Sequence, residues 1–370
     1  MRAGIGETYP HSVTATPAGP MLRALGWDDS WSEQAEHAQT PGDPGRVSRV
    51  DRGICTVVTE DGPVRASWSG ALLEAAAADG TAAPCTGDWC IVRTWPDGPL
   101  TIEAVLERRT AVIRADVSGS SRGQVLVANI DVIGVVVGLH PEPNFSRIER
   151  LLALAWESGA RPVVVLTKAD LVADADDLAD EVRRDCAGAG VVVCSTVTGR
   201  GIDELRELIG PRGTIGLVGA SGHGKSSLTN ALVGTEVLTT REIRTDGKGR
   251  HTSVRRELVA IPGGGAIIDT PGLRGVGLQT AETGLAATFP DIEELAEQCR
   301  FRDCSHQHEP GCAVQEAIEQ GTLAARRLDS WLHLQRELAW MAARTDARLR
   351  AEQVKKWKKI TEANRGRHRP

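Results

Sequence analysis

The run Gly219-Ala220-Ser221-Gly222-His223-Gly224-Lys225-Ser226 has the spacing G-x-x-x-x-G-K-[ST]. Glycines at those positions let the backbone curl until successive N–H groups converge on phosphate oxygens, and the N-terminus of a following helix adds its dipole. Lys225 then reaches the β and γ phosphates, Ser226 ligates Mg²⁺, and Ser227 continues the cradle into the helix. An apolar strand, Ile215 to Val218, precedes the run and a helical stretch to Val233 follows it, the context a phosphate loop requires. Farther on, the apolar Ala266 to Ile268 leads into Asp269-Thr270-Pro271-Gly272, a D-x-x-G element. There Asp269 would hold a Mg²⁺-bound water and the Gly272 N–H would approach a γ-phosphate. Asp-Thr-Pro-Gly is also a good turn, so its weight comes from its spacing after the phosphate loop.

A base-reading element lies upstream, where Val163 to Leu166 runs into Thr167-Lys168-Ala169-Asp170, a T/N-K-x-D form. Asp170 can accept from guanine N1–H and its exocyclic amine, a pairing adenine cannot offer, while the Lys168 stem lies along the ring. The same residue speaks against an ATP-using phosphotransferase. A third apolar run, Val191 to Val193, ends in Cys194-Ser195-Thr196, where GTPases usually carry Ser-Ala, so Ser195 and Thr196 stand at guanine-contact positions with altered residues. The order is base reading, phosphate loop, D-x-x-G, which is a circular permutation of an ordinary GTPase.

Many GTPases orient the attacking water with a glutamine just after D-x-x-G, but here Leu273 follows Gly272. The nearest polar substitute is His251, in Lys248-Gly249-Arg250-His251-Thr252-Ser253. As a neutral imidazole it could accept a hydrogen bond from water. The alternative makes His251 one member of a basic loop, with Arg255 and Arg256, that touches RNA. Thr252 has the position of a switch threonine that closes on Mg²⁺ and the γ-phosphate.

Cys299-x4-Cys304-x-His306-x5-Cys312 offers three thiolates and an imidazole within fourteen residues. A closed set of this kind suits structural Zn²⁺ rather than catalytic zinc, which keeps an open position. Glu309-Pro310-Gly311 supplies a turn that returns the chain to the metal, and His308 competes with His306 as a ligand.

These residues need particular elements to position them. The chain has 370 residues, 41% hydrophobic and 25% charged, which excludes a fibrous or wholly disordered protein and suits two or three domains. Residues 1 to 45 are Gly, Pro, Ser and Thr-rich and read as a flexible arm, although Leu22 to Trp31 forms a patch that could dock. From 46 to 115, short β-like runs with one Ala-rich interruption predict a small β-barrel. From 116 to 290, buried apolar runs alternate with helical stretches, predicting an α/β domain, with Gly263-Gly264-Gly265 as a hairpin turn. From 291 to 370 the chain reads as helical. No apolar run reaches the roughly eighteen residues of a spanning helix and no signal pattern opens the chain, so a cytoplasmic protein without membrane contact is expected. Eight sparse cysteines argue against a disulfide scaffold. The net charge of −6 conceals an asymmetry, because Arg344 to Pro370 carries ten Lys/Arg against three Asp/Glu. That local +7 includes Lys355-Lys356-Trp357-Lys358-Lys359 and fits an RNA contact or a solvated tail.

Taken together, the sequence resembles the RsgA (YjeQ) family of circularly permuted GTPases that act in small ribosomal subunit maturation. The resemblance runs from about Arg46 to Gly311. It is carried by Gly87-Asp88-Trp89, Ala128-Asn129-Ile130-Asp131, Thr167-Lys168-Ala169-Asp170, the phosphate loop, Gly249-Arg250-His251-Thr252, Asp269-Thr270-Pro271-Gly272-Leu273 and the metal cluster. It implies an OB barrel, a GTPase domain and a zinc-binding helical domain, with His251 positioning water and His306 as the zinc ligand. It further implies GTP and GDP as ligands with Mg²⁺, the small subunit and its rRNA as partner, and slow hydrolysis activated by the particle. A monomer is expected. The competing readings are an RNA-binding scaffold that GTP merely orders, and a permuted GTPase of the large subunit.

Overall fold

The computed structural model describes residues 18–114, 123–186, 188–235, 256–269 and 282–345. Two short helices, α1 (Pro20–Ala24) and α2 (Asp29–His37), open it. Proline in the first turn starts α1, and the Asp28 carboxylate accepts from the Trp31 N–H to start α2. The expectation of a flexible arm through residue 45 is therefore corrected for 18–45: Leu22, Trp27 and Trp31 are buried, and the Trp27 ring meets Trp89 edge-on at 5.0 Å. Segments this short show no helical period, and the flanking Gly and Pro disguised them. Burial of three large side chains holds them instead.

A closed barrel follows, built from β1 (Asp43–Asp51), β2 (Ile54–Thr59), β3 (Gly62–Trp68), β4 (Trp89–Thr94) and β5 (Leu100–Val105) in the order β1-β2-β3-β5-β4. The Ala-rich interruption is helix α3 (Gly70–Ala78), capped by Ser69. Val47, Val57, Cys90 and Ile102 fill the barrel core. Strands β6 (Ala111–Arg114) and β7 (Gln124–Ala128) form a separate two-stranded ribbon, with one bridge from Val127 to Thr86, so the barrel strands end at Val105 and the expected boundary at 115 falls inside that ribbon.

The central domain comprises β8 (Val132–Gly138), α4 (Phe145–Glu157), β9 (Arg161–Thr167), α5 (Ala175–Asp185), β10 (Gly190–Val193), α6 (Ile202–Ile209), β11 (Thr214–Gly219), α7 (Lys225–Val233), β12 (Glu257–Ala260) and β13 (Ala266–Asp269). Its sheet order is β10-β9-β8-β11-β13-β12, parallel except for β12, which pairs with β13 across the Gly263-Gly264-Gly265 turn. Valine-rich strands buried on both faces explain the continuous apolar runs. Of the helices α8 (Glu282–Thr288), α9 (Pro290–Ala296), α10 (Ala313–Glu319) and α11 (Ala325–Thr345), α8 and α11 pack against α4 and α9 packs on α8 and α10, and all four share one core with a face of that sheet. No described helix is long and apolar enough to cross a membrane.

A buried ionic network joins α4 to the C-terminal helices. The Arg327 guanidinium, only 4% exposed, donates to Glu149 at 3.1 Å and to both Asp291 oxygens at 2.7 Å, and it also meets the Thr288 carbonyl. Glu149 is fully buried, and that burial pushes its carboxyl above the usual range, while Ser330 and the two arginines Arg327 and Arg326 act against the rise. Removing one partner of such a pair leaves a charge uncompensated in the interior. The expected outcome for Arg327→Met in urea denaturation is a loss of about 3–5 kcal/mol, partly regained in Glu149→Leu/Arg327→Met. A loss under about 1 kcal/mol would show the network to be energetically idle.

Candidate nucleotide and metal sites

Parallel pairing sets β11 between β8 and β13, so the loop that leaves β11 emerges at the carboxyl edge of the sheet, where α/β folds hold ligands. Gly219 (φ +150°), Gly222 (φ +81°) and Gly224 (φ +88°) bend the chain back into α7. At Gly219 a Cβ would sit 2.3 Å from the Val136 carbonyl oxygen, so only glycine lets the loop pass this close to β8. Lys225 folds its ammonium over the loop, donating to the Gly219 and Ala220 carbonyls at 3.0 and 2.8 Å. Ser226 and Ser227 lie in the first turn of α7, whose N–H groups face the loop.

Asp269 closes β13 opposite Leu217 of β11. Its Oδ1 is buried with no hydrogen-bond partner among the described residues. Burial pushes its carboxyl above the usual range, and the Lys225 ammonium acts in the opposite direction. An unsatisfied acceptor next to a phosphate loop fits a Mg²⁺-bound water, and Ser226 fits direct ligation.

The Thr167-Lys168-Ala169-Asp170 run ends β9, beside β8. The Thr167 hydroxyl donates to the His223 carbonyl at 2.7 Å, which ties this run to the phosphate loop. Lys168 adopts the left-handed conformation (φ +61°), and its stem passes over Gly138 before the ammonium reaches the His140 carbonyl. Asp170 is exposed, and the Ser195 hydroxyl donates to its Oδ1 at 2.6 Å. Ser195 itself is buried and accepts from the Val197 and Thr198 N–H groups, each at 3.2 Å. Its hydroxyl is thus committed to orienting Asp170, whereas Thr196 is exposed at the rim. His251, Thr252 and Gly272 lie outside the described residues, as does the basic run from residue 346 onward.

His223 occupies an unspecified position of the phosphate-loop pattern, so spacing alone gave it no separate part. The structure half-buries its ring, with Nδ1 3.3 Å from both the Val136 carbonyl and the Gly138 N–H. Burial makes the imidazole less basic than usual, and the charges of Lys225, Arg147 and Lys168 add to that effect.

Cys299, Cys304, His306 and Cys312 converge, with all ligand atoms within 4.8 Å of one another. The Cys299–Cys312 Sγ separation is 3.9 Å, and His306 Nδ1 lies 3.6 and 3.5 Å from these two sulfurs. A tetrahedral ion with Zn–S and Zn–N bonds of ordinary length has S···S edges of about 3.8 Å and S···N edges of about 3.6 Å. The cluster therefore has the dimensions of a zinc site made of three thiolates and one imidazole. The Glu309 carboxylate accepts from the Ser305, Gln307 and His308 N–H groups and from the Ser305 hydroxyl, which holds the ligand turn and keeps that carboxyl well below the usual range. His308 is exposed and is not among the four residues that converge, whereas His306 is. Trp331 of α11 packs edge-on against the His306 ring at 5.5 Å.

Comparison with known proteins agrees with this geometry. The family model described as RsgA GTPase matches residues 105–279, and one described as 50S ribosome-binding GTPase matches residues 214–359, beginning at the strand before the phosphate loop. The small ribosomal subunit biogenesis GTPase RsgA of Streptomyces coelicolor is 49% identical over 344 residues, covering 91% of this chain and 92% of its own. The protein of that name from Opitutus terrae is 42% identical over 360 residues, covering 94% and 98%. Among solved structures, YjeQ from Thermotoga maritima matches with a TM-score of 0.59 at 28% identity, covering 80% of this chain and 98% of its own. YloQ, described as a circularly permuted GTPase, shares the fold with a TM-score of 0.54 at 24% identity, covering 80% and 94%. With its T-K-x-D run, phosphate loop and the strand ending in Asp269 gathered in permuted order on one sheet edge, and with a relative 49% identical across 91% of its length, the chain belongs to the RsgA GTPase family.

Proposed function

We propose that this protein hydrolyses GTP on the small ribosomal subunit, coupling hydrolysis to a late step of that subunit's maturation and to its own release. The observation that carries the reading is the convergence of Asp170, the phosphate loop and Asp269 on one edge, joined by the Thr167–His223 hydrogen bond. The names of the relatives supply the particle. The description of the second family model names the large subunit and favours a runner-up, but that model spans only the part from β11 onward.

In this reading Asp170, oriented by Ser195, accepts the two guanine donors, with Thr167, Lys168 and Thr196 completing the base site. Gly219 to Ser227 wrap the phosphates, and Lys225 exchanges its carbonyl partners for β and γ oxygens. Ser226 and Thr252, with Asp269 through a water, would hold Mg²⁺, which would neutralise charge at the phosphates. His251 accepts a hydrogen bond from the attacking water and fixes its line of approach, while the Gly272 N–H faces the γ-phosphate. Zn²⁺ on Cys299, Cys304, His306 and Cys312 cross-links the turn under Trp331 and serves structure alone. The barrel, read as an OB fold, and the basic end at 344–370 meet rRNA. The protein acts as a cytoplasmic monomer.

Asp170→Asn is expected to weaken GTP binding at least about 100-fold and to restore binding of xanthosine triphosphate, whose C2 carbonyl accepts where guanine donates. Equal loss of both nucleotides in equilibrium titrations would remove Asp170 from the base site. Chelation, or Cys304→Ser, should melt the C-terminal helices by circular dichroism and leave GDP affinity within about threefold. Parallel loss of nucleotide affinity would count against a separate metal-held module. In co-sedimentation with isolated subunits, the full chain should pellet with the small subunit in a non-hydrolysable GTP analogue and be released in GDP. Retention by the large subunit alone would establish the runner-up.

A further inference from the structure

A cavity of about 510 Å³ opens beside the phosphate loop, within the usual range of about 300–1,000 Å³ for small-ligand sites. Gly219, Ala220, Ser221 and His223 form one wall, and Arg147 and Arg150 of α4 line the other. The two arginines differ in what they already hold. Arg150 is paired with Glu337 of α11. Arg147 carries no ion pair and no side-chain hydrogen bond among the described residues. Its backbone is nonetheless fixed, because its N–H donates to the capping Asn144 side chain at 2.9 Å in the first turn of α4. Its charge already reaches the loop, since it helps to make His223 less basic. An uncommitted guanidinium on a fixed helical turn beside a phosphate loop matches the need of phosphoryl transfer, in which negative charge spreads over the equatorial oxygens of the transferred group.

We propose that Arg147 is a catalytic cation supplied in cis, whose guanidinium turns onto the γ-phosphoryl group of GTP during hydrolysis. The proposal rests on the GTP-hydrolysing reading above. In the step itself the water oxygen bonds to the γ-phosphorus and the bond from that phosphorus to the bridging oxygen breaks. The bonding pair leaves on the β-phosphate of GDP, and the water proton ends on inorganic phosphate. Arg147 forms no covalent bond and donates N–H groups to oxygens whose charge rises in the transition state. Discrimination between transition and ground state follows, so the rate depends on Arg147 more than nucleotide affinity does.

The test uses the full-length protein with Mg²⁺ and GTP under single-turnover conditions. Arg147→Ala should slow hydrolysis about 10–100-fold while GDP affinity and the thermal midpoint stay unchanged. Arg147→Lys should recover only part of the rate, because the charge returns without the planar fork. Formation of a GDP–tetrafluoroaluminate complex provides a second readout, expected in the wild type and lost in Arg147→Ala. An unchanged rate, or a loss of GDP affinity as large as the loss of rate, overturns the assignment. A wild-type protein that does not hydrolyse GTP overturns both readings, whereas equal hydrolysis by the wild type and Arg147→Ala overturns this one alone.

Discussion

The parallel hydrogen-bonded ladder of β9, β8, β11 and β13 is the constraint on which the nucleotide edge depends. Register fixes where each strand stops: Gly138 stands opposite Thr167, Gly219 opposite Val136, and Asp269 opposite Leu217. The loops that follow become neighbours because their strands are neighbours, whatever their order along the chain. Permutation therefore leaves the site intact, since the ladder is indifferent to where the polypeptide begins. Close approach does the rest. Without a Cβ at Gly219 the phosphate loop settles against β8, and from there the His223 carbonyl meets the Thr167 hydroxyl.

Helix α4 is the second organising element, because it faces two ways. Through Arg147 and Arg150 it lines the phosphate-loop cavity, and through Ser146, Glu149 and Arg150 it holds α11. The Ser146 and Ser330 hydroxyls lie 2.8 Å apart, adding a neutral contact to the ionic ones. Buried charges of this type add little net stability but penalise misplacement strongly, so they fix the position of the C-terminal helices more than they strengthen it. The metal cluster continues the same line of contact, because Trp331 of α11 rests on His306.

Much of this was legible in the sequence where chemistry dictates spacing. The phosphate loop, the T-K-x-D run and the Cys/His cluster each need fixed intervals between residue types; the first two lie on one sheet edge and the four Cys/His residues converge in a separate cluster. The valine-rich strands were legible because burial on both faces leaves no polar alternation to confuse the period. What escaped depends on tertiary contact. The α1 and α2 segments are too short for a hydrophobic period and are held by Trp89 of the barrel. Ser195 reads as a base contact by position, but its commitment to Asp170 requires two strand ends to be adjacent. Neither His223 nor Arg147 belongs to an informative interval, and each gains meaning only from what lies across the cavity.

Arg46 shows how the modules are held. Buried at 1% exposure, its guanidinium donates to carbonyls from three separate parts of the chain: Leu25 after α1, Gly87 at the barrel, and Asn129 before β8. It also stacks on Trp89 at 4.9 Å. Burial lowers its basicity to about 10, with Asp131 and Asp88 opposing the fall, so it remains a cation throughout the neutral range. Three acceptors on one planar fork define an angle as well as a distance. The α1 segment, the barrel and the chain entering β8 are thereby tied together at a single buried cation. Displacing any one of these segments would strand a guanidinium N–H in the interior without its acceptor, so the relative placement of barrel and sheet is enforced by desolvation rather than by contact area.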